Sequence, residues 1–202
     1  LRYFLLREIP FGQDGSFSFD ALVQRYNSDL ANGYGNLVSR TLSMIEKYFE
    51  GKIPELSNEL SYEIEKFHEA IEGTEGRQVR SYLFRQLSSQ INHLDFYPFM
   101  QGAAYYVSRT DQKLSERKPW KDSGSLEATD KNRRISTYYA AESIRIITAL
   151  LYPILPYATS KVWQQLGLGD IEQAAKNGEL KNLQWGGLKP GTKLGPLSPI
   201  FP

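Results

Sequence analysis

Asn36 and Arg40 stand four residues apart inside a helical pattern, and Trp120 follows a proline in a stretch dense with charge. Four residues is about one helical turn, so Asn36 and Arg40 point the same way. Asn offers an acceptor and two donors, and Arg offers a planar fork of five donors. Such a pair can read the edge of a nucleobase. An indole can stack on the face of one, worth about 1–3 kcal/mol, but stacking is insensitive to base identity and needs hydrogen-bonding partners to give specificity. Sequence-specific RNA recognition favours single-stranded bases held this way, stacked on aromatics and read on their edges. The plain alternative is a solvated polar stripe for Asn36 and Arg40 and a packing role for Trp120.

The element that must position the pair is a helix. Phe19, Leu22, Val23, Tyr26, Leu30, Tyr34, Leu37, Thr41, Ile45 and Tyr48 recur at steps of three and four, which makes one apolar face. Asp29, Asn32, Asn36, Arg40, Ser43 and Lys47 form a polar stripe beside it. Ser18 is placed to cap this helix, which the pattern runs from Phe19 to Glu50, where Gly51 ends it and Pro54 follows. A short helix over Leu1 to Glu8 precedes it. Ser57 caps a second helix running to Ile71, closed by Gly73. A third run from Arg77 to Leu114 contains Pro98, which predicts a break near Tyr97. Thr129 or Asp130 is the expected cap of a fourth helix reaching Leu151. Further short helices are expected over Tyr157–Leu166 and Ile171–Asn177. No run alternates in period two. The fold expected is all-α, a helical bundle.

The last stretch, from Asn182 to Pro202, holds four Gly and four Pro and reads as an extended tail over the surface or a linker. Trp163 and Trp185 are expected to pack. The chain starts without Met inside an apolar pattern and ends on a Pro-rich run, which suggests a piece of a larger protein.

Bulk numbers narrow the chemistry. The 202 residues suffice for one domain with a real core. A net charge of +1 leaves RNA affinity to local clustering. Seven Glu and one Lys fall between Glu55 and Glu75, whereas eight Lys/Arg against five Asp/Glu fall between Arg109 and Arg134. If one end of the bundle meets RNA, it is the end holding the second stretch; Arg109, Lys113 and Lys121 are candidate phosphate contacts. The absence of cysteine removes disulfides, thiolate zinc sites and cysteine nucleophiles together. His68 and His93 are the only histidines, so no histidine-rich metal site is expected. His93 and Asp95 do not face each other on a helix. Glu59 and Glu63 share a helix face, most simply a solvated one. No glycine-rich phosphate loop, signal-peptide layout or membrane span is apparent.

Asn27-Ser28-Asp29-Leu30-Ala31-Asn32, continued by Gly35-Asn36-Leu37-Val38-Ser39-Arg40-Thr41-Leu42-Ser43-Met44-Ile45, resembles the first helix of the anticodon-binding domain of methionyl-tRNA synthetases. The opening, Leu1-Arg2-Tyr3-Phe4-Leu5-Leu6-Arg7-Glu8-Ile9-Pro10-Phe11-Gly12-Gln13-Asp14-Gly15, resembles the segment after the catalytic KMSKS loop of those enzymes, and Lys118-Pro119-Trp120 matches a third position. Phe96-Tyr97-Pro98-Phe99 departs from the unbroken helix expected of the family. The resemblance implies the helical bundle of class I synthetases. It divides the chain into the end of the stem-contact region (1–17), an anticodon-binding domain (18–180) and a tail or linker (181–202). It assigns Asn36, Arg40 and Trp120 to a CAU anticodon, with Trp120 stacking on its first base. The implied partners are the initiator and elongator methionine tRNAs and a catalytic domain in the same chain, with a cytoplasmic location and no membrane. ATP and magnesium are expected for that catalytic domain and no cofactor or metal for this piece. The HIGH-type and KMSKS-type signatures are absent from these residues, so the piece alone is expected to be non-catalytic. Two alternatives remain. One is the equivalent domain of a cysteine, valine, leucine or isoleucine synthetase, without the expectation of Asn36, Arg40 and Trp120 together. The other is a helical protein-interaction module with no RNA ligand.

Overall fold

The computed structural model describes residues 1–10, 12–66, 96–181 and 183–201. His68, His93, Asp95 and the expected third helix before Phe96 lie outside the described residues. The described elements are helical: α1 (Arg2–Glu8), α2 (Phe19–Arg25), a wide π-helical segment (Tyr26–Gly35), α3 (Asn36–Phe49), α4 (over 58–66), α5 (Tyr97–Arg117), α6 (Leu126–Leu151), α7 (Pro156–Gln165) and α8 (Ile171–Lys176). Among the described residues the sole extended pairing is an isolated antiparallel bridge between Lys52 and Lys193.

The bundle is organised around α6. Every residue from Ile135 to Leu151 is buried, the signature of a central helix rather than a surface one. Against it pack α5 and α3, and α3 presents Leu37, Val38, Leu42 and Ile45, each at most 1% exposed. Full burial of such side chains contributes roughly 1.5–3 kcal/mol each. Ser18 caps α2 by accepting from the Ala21 amide at 3.1 Å, and Ser57 Oγ accepts from the Leu60 amide at 3.2 Å. The left-handed residues Glu50 (φ 52°) and Gly51 (φ 69°) end α3. Pro98 sits in the first turn of α5, where its missing N–H is harmless, so the break expected near Tyr97 is a helix start.

Several expectations are corrected. The helix over 19–50 is continuous, but its middle is π-helical: the Asn36 amide bonds the Ala31 carbonyl, five residues back. The wider turn shifts the phase between α2 and α3. Phe19 and Val23, expected on the apolar face, are 75% and 56% exposed. Asp29, expected in the polar stripe, turns toward α1 instead. It accepts from Tyr3 OH at 3.0 Å and lies 3.4 Å from Arg7 Nε and 3.5 Å from Arg25 Nη1. Burial, reinforced by that carboxylate, pushes the Tyr3 hydroxyl well above the usual tyrosine range. The cap of α6 is Ser125, accepting from the Ala128 amide at 3.1 Å; Thr129 Oγ accepts from the Ser123 amide instead. Glu63 is not simply solvated, because it accepts from Lys131 Nζ at 2.6 Å.

The C-terminal tail is built into the bundle. Leu188 is fully buried, and the Ile53 and Gly191 amides exchange bonds with the Thr192 and Ile53 carbonyls at 2.8 Å. A side chain at Gly195 would come 2.3 Å from the Gln164 carbonyl, so a glycine is needed where the tail crosses the end of α7. The strongest anchor is a buried charge. Glu142 of α6 pairs with Arg145, with side chains 0% and 6% exposed. Its carboxylate also accepts from the Gly187 and Leu188 amides, both at 2.9 Å, while Arg145 donates to the Gln184 carbonyl at 2.8 Å.

Candidate nucleic-acid interface

The polar stripe of α3 meets the loop between α5 and α6 at one end of the bundle. Lys118 ends α5 in a left-handed conformation (φ 45°), its amide on the Leu114 carbonyl at 3.1 Å. The Lys121 amide then returns to the Lys118 carbonyl at 2.8 Å, closing a tight turn. Pro119 occupies the second position of that turn, where its fixed φ suits, and is buried. Trp120 comes next and is left 40% exposed. The first turns of α6 hold the loop in place. Asn132 Nδ2 donates to the Arg117 carbonyl at 2.9 Å, and Arg133 Nε donates to the Pro119 carbonyl at 3.1 Å. Arg117 is sunk beneath, donating to Asn132 and Ser136 at 3.0 and 2.9 Å, and burial lowers its pKa from the usual arginine range.

This turn brings Trp120 to Arg40. The guanidinium carbon of Arg40 lies 5.2 Å from the centroid of the Trp120 ring, a cation–π contact. Nη1 of Arg40 donates to Asp111 Oδ1 at 2.5 Å, and Nη2 reaches Ser115 Oγ at 3.5 Å. These contacts from α5 hold the fork in place over the indole. The Arg40 side chain is 31% exposed, and Asn36, one turn earlier on α3, is exposed. The structure therefore brings together Asn36, Arg40 and Trp120. They form a face with hydrogen-bonding groups, a fixed planar cation and an aromatic surface open to solvent. Such a face can take a planar ring against the indole and bond to its edge.

The candidate phosphate contacts divide. Lys121 is exposed in the turn beside Trp120. Arg109 donates to Gln112 at 2.8 Å and Lys113 to Glu116 at 2.7 Å, along the exposed side of α5. The Lys113 hydrogen bond holds the Glu116 carboxyl below its usual range. Two residues were missed by sequence reasoning: Arg133, which holds the Trp120 turn, and Asp111, which orients Arg40. Asp111 carried a signal as an acid inside a basic stretch; Arg133 carried none, since its partner is a backbone carbonyl. Among the described residues no group of three or more His, Cys, Asp or Glu is placed to hold a metal ion, and no helix is long and apolar enough to cross a membrane.

Comparison with known proteins converges. A family model described as tRNA synthetases class I (M) matches residues 1–42. The chain is 37% identical over 172 residues to a methionine–tRNA ligase of Halalkalibacterium halodurans, covering 83% of this chain and 24% of that protein. It is 37% identical over 206 residues to that of Caldanaerobacter subterraneus, covering 100% of this chain and 29% of the relative. A Bacillus subtilis methionine–tRNA ligase is 34% identical over 210 residues, with 100% and 28% covered. The chain thus spans between 24% and 29% of the length of these relatives. Among solved structures, the free-state methionyl-tRNA synthetase of Mycobacterium tuberculosis superposes with a TM-score of 0.78 at 30% identity. The match covers 100% of this chain and 38% of that one. The same enzyme bound by methionyl-adenylate also gives a TM-score of 0.78.

Proposed function

Because this chain is homologous over its full length to a segment of the methionine–tRNA ligases, we propose that it is the anticodon-reading part of such a ligase. The parent joins methionine to its tRNA at the expense of ATP, with magnesium. This piece supplies recognition of the CAU anticodon and none of the bond-making chemistry. Its partners are the initiator and elongator methionine tRNAs and the catalytic domain of the same chain. The region over 1–17 is the join toward that domain, 18–180 is the anticodon-binding bundle and 181–202 is its tail. Binding energy gained at the anticodon is useful to the parent only if it orients the distant acceptor end for transfer.

The observation that carries this reading is the cation–π contact of Arg40 with a partly exposed Trp120, with Asn36 one turn away. An arginine held over an indole, its fork steadied by Asp111, is pre-organised for a base, and pre-organisation lowers the cost of binding. A first anticodon base stacks on the open indole, and Asn36 and Arg40 bond to its edge. The test is direct. A CAU anticodon stem-loop should bind the chain more tightly than a stem-loop changed at its first base. Equal affinity for the two, at every salt concentration, would remove the anticodon reading.

A further inference from the structure

We propose that Lys47 and Arg133 form a phosphate clamp across Tyr48, holding the RNA backbone beside the base stacked on Trp120. The proposal rests on the anticodon reading above and adds the residues that grip the strand. Lys47 and Tyr48 close the last turn of α3, and Arg133 rises from α6 two turns after its start. Nζ of Lys47 lies 5.1 Å from the centroid of the Tyr48 ring, and the guanidinium carbon of Arg133 lies 4.4 Å from the same centroid. One ring thus gathers two cations from two helices, within about a Debye length of each other at 0.1 M salt. Each gains from the ring's negative face. Their mutual repulsion is only partly relieved on the protein side. Among the described residues Lys47 makes no ion pair. The carboxylate nearest Arg133 is Asp122, at 3.4 Å, whose side chain is 92% exposed and so screened by solvent. A bridging anion would relieve the repulsion, and a phosphodiester oxygen is the anion an RNA strand brings.

The clamp is tied to the base platform. Arg133 Nε donates to the Pro119 carbonyl, and Pro119 is the residue before Trp120. The guanidinium that faces Tyr48 therefore also sets the height of the turn carrying the indole. The polar stripe of α3 runs from Asn36 through Arg40 and Ser43 to Lys47, about one turn per step. A strand whose base lies between Asn36, Arg40 and Trp120 reaches the Tyr48 cations along that stripe. The neighbouring Arg134 is spoken for, donating to Asp130 at 2.6 Å and to the Glu55 carbonyl at 3.2 Å.

The experiment measures binding of a fluorescent CAU stem-loop to the 202-residue chain across a range of salt. Lys47→Gln should bind about fivefold more weakly at 0.1 M salt, and the slope of log affinity against log salt should be shallower by about 0.7, one phosphate contact on a single strand. Preference for CAU should be unchanged. Arg133→Gln should lose affinity and preference together, because it also releases the Trp120 turn. Arg133→Lys, which keeps the charge, should keep the salt slope. A stem-loop with uncharged methylphosphonate linkages on both sides of the first anticodon base should weaken binding to the wild type and leave Lys47→Gln little changed. If Lys47→Gln matches the wild type in affinity and slope while CAU preference persists, the clamp is refuted and the anticodon reading stands. If the wild type shows no CAU preference, both fall.

Discussion

The guanidinium of Arg40 lies over the indole of Trp120, 5.2 Å from its centroid, while Nη1 of the same group is bonded to Asp111. One side chain from α3 thus joins the α5–α6 loop to α5. Only part of its fork remains for a ligand. Asp111 holds the fork in place over Trp120, and the outward donors keep a single direction. This arrangement separates two duties that a surface arginine usually mixes, attraction to phosphate and recognition of a base.

Arg40→Lys should weaken discrimination among anticodons more than it weakens RNA binding. Both side chains carry one charge, so long-range attraction survives. What disappears is the planar fork able to make two bonds to one base edge, which discriminates by about 1–3 kcal/mol in DNA, a scale applied here to RNA. The mutant should bind CAU and first-base-changed stem-loops with similar affinity at an unchanged salt slope. A fall in both affinities and in the slope, with CAU preference intact, would make Arg40 a phosphate anchor.

Trp120→Phe should lose most of the fluorescence change that follows addition of the stem-loop. Trp163 is 5% exposed, and Trp185 packs on Tyr139 with ring centroids 5.4 Å apart, so both serve as internal background. An equal change in the two proteins would assign the signal to those residues and end the case for Trp120 as the stacking surface.

Glu142→Gln should destabilise the bundle by about 3–5 kcal/mol, the usual cost of leaving one partner of a buried ion pair alone. Urea denaturation followed by far-UV circular dichroism measures it. The double replacement Glu142→Met with Arg145→Leu should recover part of the loss, because no buried charge is stranded, although the Gly187 and Leu188 amides still lack their acceptor. An unchanged urea midpoint in Glu142→Gln would show that the pair and its tail contacts contribute little.

Gly35→Ala should change sign with Phe201. A methyl group at Gly35 would lie 2.9 Å from Phe201 Cδ2 and 3.1 Å from the Leu30 carbonyl. Crowding of this kind costs about 1–3 kcal/mol, against a helix-propensity gain of about 1 kcal/mol. The substitution should lower the melting temperature in the wild type and raise it, or leave it level, in a Phe201→Ala background. A fall of the same size in both backgrounds would place the strain on the Leu30 carbonyl.

The sequence made the helices legible because burial imposes a period and their ends carry chemical marks. Ser18, Ser57, Gly51 and Pro98 each sit where those marks predict. The π turn was not legible: one extra residue per turn leaves the three-and-four spacing of Leu30, Tyr34 and Leu37 almost unaltered, while it moves Phe19, Val23 and Asp29 to other faces. The cap of α6 was misplaced by four or five residues because Ser125, Thr129 and Asp130 are all good caps and local composition does not rank them. At the interface, Asn36 and Arg40 could be paired by spacing alone. Their meeting with Trp120 rests on the turn closed by Lys118 and held by Arg133, and those bonds run to backbone carbonyls that any residue could supply. The tail's grip was hidden for the same reason: Glu142 takes its bonds from the amides of Gly187 and Leu188.

That grip has a consequence for the order in which the molecule can be completed. Helix α6 is synthesised well before Gln184, Gly187 and Leu188. During that interval its Glu142 carboxylate has Arg145 as a partner, but the two amides and the carbonyl that finish the cluster do not yet exist. A charge in this condition resists being taken out of water. The middle of α6 should therefore stay hydrated, and the bundle around it loose, until the ribosome has released the chain beyond Leu188. A released chain ending before Gln184 should remain sensitive to protease across Ile144–Leu151, and the 202-residue chain should not.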